Sequence, residues 1–157
     1  VIFVRPGVRI GVDVGSVRVG VAASDPEGLL ATPVETLTRD RRGNTDVAAL
    51  ASLARDRAAV EFVVGLPRSL SGDEGAAASI IRDYAALLAT TVDIPVRLVD
   101  ERLSTVQATR DLRAGGVSGR RQRAVVDQAA AVVVLQAALD AERAGGAPPG
   151  QLVEQTA

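Results

Sequence analysis

The stretch Gly11–Asp25, GVDVGSVRVGVAASD, decides the fold. It belongs to two short β-branched segments, VRIGVDV at 8–14 and VRVGVAA at 17–23, joined at Gly15-Ser16. Gly followed by Ser between strands signals a two-residue type II′ hairpin. That turn sets Val14 opposite Val17 and Asp13 opposite Arg18, on one side of the sheet. A carboxylate ending a strand then sits beside a cation. An ion pair at a hairpin end and a functional site both fit that description, so the rest of the chain has to decide.

Outward from the hairpin, Val8, Ile10, Val12 and Val14 alternate with Arg9, Gly11 and Asp13, as in a strand with two different faces. Asp25-Pro26-Glu27-Gly28 is a turn, and Leu29 to Leu37 makes a third strand in which Pro33 demands an edge or a bulge. Three strands joined by tight turns imply an antiparallel meander with the third outermost. From Asn44 the period becomes helical. Asn44, Thr45 or Asp46 can cap a helix that buries Val47, Leu50, Ala51 and Ala54 and ends near Ala58. EFVVG at 61–65 is a buried strand stopped by Leu66-Pro67. Ser71-x-x-Glu74 is a capping box opening a helix to about Thr90, with Ile80, Tyr84 and Leu87 on its apolar stripe. Residues 95–100, PVRLVD, form a further strand.

Ser104-x-x-Gln107 predicts a helix from Thr105 to about Arg113, and Gly115, Gly116, Ser118 and Gly119 a loop carrying Arg120 and Arg121. A long helix, apolar nearly all round, follows from about Arg123 to Arg143. The expected architecture is α/β, a five-stranded mixed sheet with helices on its faces, in a single domain over 1–143. The remainder, 144–157, has the composition of a disordered tail.

Composition removes most catalytic chemistries. The chain has no His and no Cys, and all eighteen of its basic residues are Arg. That excludes a His/Cys zinc site, a Ser-His-Asp triad, a cysteine nucleophile, a Schiff base and a Walker A lysine. What remains is carboxylates, hydroxyls and a bound metal, and all-oxygen ligation favours Mg²⁺ or Mn²⁺. No apolar run approaches a membrane span, and VIFVRPG lacks the features of a signal peptide, so a soluble, cytoplasmic protein without a membrane partner is expected. Net charge is −1. Locally, Arg102, Arg110, Arg113, Arg120, Arg121 and Arg123 face only Asp111, a density that suits a polyanion. A smaller cluster, Arg39, Arg41 and Arg42 around Asp40, reads as a solvated loop.

Acids stand at three places where elements end. Asp13 closes the first strand. Asp100 and Glu101 close the last, and by alternation at most one of them shares Asp13's side. Asp127 lies early in the long helix, above a stripe of Ala130, Ala131, Val134 and Ala138 that lets the helix approach the sheet. Each has an ordinary reading: Asp127 as a helix-dipole acid, Asp13 as the hairpin partner of Arg18, and Asp100 or Glu101 as an ion-pair partner of Arg102 or Arg97. Together they fall at termini that could converge. Gathered carboxylates repel unless one is protonated or a cation is bound, and acids holding a divalent ion suit phosphodiester hydrolysis. With Phe3, Phe62 and Tyr84 the only aromatics, recognition should depend on shape and phosphates more than on base stacking.

DVGSVRVGVA at 13–22, VVGLP at 63–67, DERLST at 100–105 and DQAAAVVVLQ at 127–136 together resemble the YqgF family of RNase H-fold proteins. That family is described as pre-16S rRNA nucleases or Holliday junction resolvase-like proteins. The resemblance implies an RNase H-like sheet whose acidic triad, catalytic and metal-holding, is Asp13, Glu101 and Asp127. It further implies a Mg²⁺-dependent endonuclease acting on structured RNA at the 5′ end of 16S rRNA, or on branched DNA, as monomer or homodimer and in contact with the ribosome or its precursors. Arg18 is a motif member expected to orient Asp13 or touch phosphate. Arg102, Arg120, Arg121 and Arg123 are the expected substrate contacts. Arg68-Ser69-Leu70 stands where similar proteins often carry Asn, and Arg121 or Arg123 replaces the usual Lys, keeping charge but not geometry. Two other functions fit less well: a nucleotide phosphotransferase, which needs a second lobe, and an RNA-binding assembly factor with little hydrolysis.

Overall fold

The computed structural model describes residues 4–69, 71–104 and 119–155. Its elements are β1 (Arg9–Val14), β2 (Arg18–Ser24), β3 (Ala31–Thr38), α1 (Thr45–Asp56), β4 (Glu61–Leu66), α2 (Ala76–Thr91), β5 (Val96–Asp100), a 3₁₀ turn (Glu101–Leu103), α3 (Arg120–Gly145) and β6 (Gln151–Leu152). They form one mixed sheet in the order β3-β2-β1-β4-β5-β6. β1, β2 and β3 are the expected antiparallel meander, while β4 and β5 run parallel to β1. Pro33 sits on the edge strand beside a bulge: Val21 faces Glu35 and Ala22 faces Pro33, leaving Val34 extra.

The sheet has six strands where five were expected. The sixth comes from the tail, where Gln151 and Leu152 pair with Leu98 and Arg97. Composition alone marks this tail as disordered. Backbone pairing, Val153 packed on the core and Gln155 bonded to the Ile94 carbonyl dock it. Gly150, at φ 81°, turns the chain in against the Leu98 carbonyl, where a Cβ would not fit.

Strand alternation separates two apolar layers. Ile10, Val12, Phe62, Val64, Val96 and Leu98 face α1 and α2, burying Leu50, Tyr84 and Leu88. Ala22, Val63 and Val99 face α3, burying Ala130, Ala131, Val134 and Leu135. The apolar stripe of α2 is Ile81, Tyr84, Ala85 and Leu88, so Ile80 is left 52% exposed. Neither expected cap forms. Gly75 precedes α2 without a side-chain bond, and Glu74 instead pairs with Arg82. Asn44 precedes α1 in the left-handed region, while Asp40 collects the loop amides of Arg42, Gly43 and Thr45. The helix expected from Thr105 to Arg113 and the loop through Gly115 and Gly116 lie outside the described residues.

By length and composition Arg123–Gly145 of α3 qualifies as a membrane span, contrary to the expectation that no segment would. In the fold, one face of α3 lies along the sheet. Gly11 and Gly20 set how closely: a Cβ on Gly11 would come within 2.7 Å of the Leu135 Cβ, and one on Gly20 would overlap the Asp127 carbonyl. At the far end of α3, Glu142 enters a buried ion network. It accepts from Arg5 and Arg9, and Glu61 accepts from Arg5 and Arg97.

Candidate active site

Asp13 is the last α3-facing residue of β1. Its neighbours Val12 and Val14 pack into the α1/α2 layer, and Gly11, two residues back, lies under Leu135 of α3. The Asp13 side chain therefore takes the α3 side, in a residue only 6% exposed. Across on β2 its partner is Gly20. On the other side, Val12 is in register with Val64, and the next step along the parallel pair sets Asp13 beside Gly65.

Those two glycines are what bring the acids near. Over Gly65 lies Glu101, whose Oε1 is 3.2 Å from where a Cβ would stand; over Gly20 lies the backbone of Asp127. Asp13 thus occupies the middle strand of three, with Glu101 and the backbone of Asp127 above the two flanking strands, whose axes run about 5 Å to either side. Larger residues at 20 or 65 would lift the helix or the 3₁₀ turn.

Glu101 is 7% exposed, and burial, reinforced by the Asp100 charge, pushes its carboxyl up to about 7. The turn that holds it is closed by the Ser104 amide and hydroxyl on the Glu101 carbonyl. Asp100 does different work. It accepts from the Arg102 amide, and its carboxylate is gripped by the Arg102 guanidinium at 2.6 Å, which holds it below the ordinary aspartate range. Of the two adjacent acids, it is Glu101 that lies over Gly65 on Asp13's side.

Arg18 is not where the hairpin signal puts it. Val14 pairs with Val19 and the Gly15 amide bonds the Arg18 carbonyl, so Ser16 and Val17 form the turn. Gly15 is not in the left-handed region that a type II′ turn demands. The register is displaced by two residues, an even shift that leaves every side chain on its expected face. Arg18 therefore stays on the α3 side but reaches past Gly20 to Asp127, with Nε 2.6 Å from Oδ2. Gly20 replaces Arg18 opposite Asp13 because α3 must come down on that position.

The carboxyl donors and their glycine seats match a hard divalent cation in chemistry. Among the described residues, however, no three acidic side chains are drawn close enough to surround one ion. Asp127 has its charge met by Arg18 instead. Of the expected substrate contacts, Arg102 has its charge met by Asp100, Arg123 is exposed near the start of α3, and the side chains of Arg120 and Arg121 lie outside the described residues. Sequence reasoning missed Gly20 and Gly65 as the seats of the site. A glycine inside a strand pattern marks close backbone approach, and both carried that signal.

A family model described as "RuvX: Holliday junction resolvase" matches residues 7–141. A Kineococcus radiotolerans protein named "Putative pre-16S rRNA nuclease" is 62% identical over 145 residues, covering 92% of this chain and 77% of that one. A relative of the same name from a Nocardioides species is 56% identical over 155 residues, covering 97% and 99%. Among solved structures, T. thermophilus RuvC in complex with Holliday junction substrate superposes with a TM-score of 0.58. It is 13% identical and covers 91% of this chain and 99% of its own, which bears out the RNase H-like α/β fold.

Proposed function

Because the chain belongs to the RuvX family, we propose that it is a divalent-metal-dependent endonuclease of structured nucleic acid, processing the 5′ end of precursor 16S rRNA in the cytoplasm. The observation that carries this reading is the row Gly20–Asp13–Gly65, three adjacent strands with Asp127 and Glu101 seated over the two glycines. Asp13 and Glu101 would hold Mg²⁺ or Mn²⁺, joined by Asp127 once its carboxylate leaves Arg18. A bound ion lowers the pKa of the attacking water and neutralises charge on the leaving oxygen. Burial of Glu101 keeps bulk water from screening that charge, and its raised pKa makes it reluctant to ionise without a cation. Arg18, freed from Asp127, faces the same side and can meet a phosphate oxygen. Arg120, Arg121 and Arg123 at the start of α3 would grip the backbone of the substrate.

The family description favours a second reading, cleavage of four-way DNA junctions, which requires a homodimer with two sites on a symmetric substrate. One assay separates them: precursor rRNA and a four-way junction incubated side by side with Mg²⁺ or Mn²⁺, with Asp13→Asn as control. Cleavage of the rRNA alone, abolished by the substitution, is the expected result. Tight RNA binding without cleavage by either protein would leave an assembly factor and end the nuclease reading.

A further inference from the structure

Val14 follows Asp13 and points to the opposite face, where it enters the wall of a cavity of about 250 Å³ between the β1–β2 hairpin and α2. Arg39 and Arg41 line one side; Ile80, Asp83 and Tyr84 of α2 line the other. Arg39 is fixed: its guanidinium lies 4.8 Å from the centre of the Tyr84 ring and bonds the buried Asp46 at 3.0 Å, which also accepts from the Tyr84 hydroxyl at 2.8 Å. Arg41 is different. Its guanidinium bonds only the Ser16 carbonyl of the hairpin, at 3.0 Å, and among the described residues it has no carboxylate partner. The nearby Asp40 does not compete for it, being tied to the amides of its own loop and held at about 2 by them.

The cavity thus joins an uncompensated guanidinium, an apolar wall at the half-exposed Ile80 and an exposed carboxylate at Asp83. A free phosphate would use the first and be repelled by the last. A ribonucleotide uses all three: phosphate on Arg41, base or sugar against Ile80, and a hydroxyl or base amine donating to Asp83. We propose that this cavity is an accessory subsite for a single RNA strand that crosses the Gly15–Arg18 hairpin from the Asp13 side, a few nucleotides from the bond to be cut. The proposal rests on the nuclease reading and extends it to the opposite face of the sheet, giving the protein a reason to prefer substrates with a single-stranded arm.

The test compares two fluorescent RNAs, a hairpin with a single-stranded 5′ extension and the same hairpin without it. The wild-type chain, Arg41→Ala and Ile80→Ser are measured by anisotropy over a range of salt. Both side chains are exposed, so the two variants retain the fold. Wild type should bind the extended RNA about tenfold more tightly, and each variant should bring that ratio close to one. For the extended RNA, Arg41→Ala should also flatten the salt slope by about 0.7, the share of one single-strand phosphate contact. A wild type that binds both RNAs equally, or variants that keep the ratio or weaken both RNAs alike, would overturn the subsite alone. A wild type that binds neither RNA would overturn the nuclease reading and the subsite with it.

Discussion

The two ends of α3 bury charge on the same face of the same three strands, and they do it differently. At one end β1, β4 and β5 contribute Arg9, Glu61 and Arg97, which join Arg5 and Glu142 in a network where each carboxylate meets at least two guanidiniums. Four residues further along each of those strands stand Asp13, Gly65 and Glu101, with Asp127 from the helix. Here Arg18 pairs with Asp127, and Glu101 lies buried beside the charge of Asp100. The first end is compensated from within and locks the helix to the sheet. The second sets a carboxyl where burial opposes its ionisation, and Glu101 is pushed up to about 7. A buried carboxyl costs free energy to ionise unless a positive charge meets it.

The largest expected effect breaks the comparison on its functional side. Asp13→Asn should lower the single-turnover cleavage rate about a thousandfold while leaving the unfolding midpoint near that of wild type. Glu142→Ala should do the reverse. It strands Arg9, a residue 1% exposed, and should cost about 3 kcal/mol in urea unfolding, with cleavage retained below the transition. A midpoint unchanged by Glu142→Ala would mean that the compensated end contributes nothing.

Glu101 sharpens the contrast through pH. Its folded pKa, at about 7, lies above the ordinary glutamate value, so the fold favours the protonated form. The stability it lends is full below about pH 4.5 and is lost as pH rises through 7. In chelator, Glu101→Gln should therefore exceed wild type by about 2 kcal/mol at pH 8 and by little at pH 4.5. Equal stability at both pH values would refute the burial argument. The smallest effect belongs to Arg18→Gln. The Arg18–Asp127 pair is partly solvated, so stability should fall by no more than about 1 kcal/mol. Mn²⁺ binding measured by calorimetry should tighten, because the cation competing for Asp127 is gone. Weaker Mn²⁺ binding would show that Arg18 positions Asp127 for the metal instead of competing with it.

Much of this was readable along the chain. Alternation through Val8–Val14 and Val17–Ala23, the turn at Asp25–Gly28 and the helical period from Val47 onward are local patterns, and the meander and the helices on both faces follow from them. The family motifs pointed to Asp13, Glu101 and Asp127. The hairpin register was not readable, because the Gly15-Ser16 signal competed with a contact 107 residues distant, α3 descending on Gly20. Nor was Arg18's partner, which depends on that register, or the stripe of α2, where Ile80 and Ile81 differ only in which one the sheet meets. The tail misled for a related reason: a two-residue strand has no periodicity to detect, and only the free edge of β5 gives it a place.

The sequence by itself determined the kinds of chemistry open to this protein, since a chain without His, Cys or Lys has only carboxylates, hydroxyls and guanidiniums to offer, and it determined which segments alternate and which coil. The tertiary structure decided which acid faces which base. That choice rests on the height of α3 above two glycines and on a two-residue shift in register, and both are settled by contacts between residues far apart in the chain.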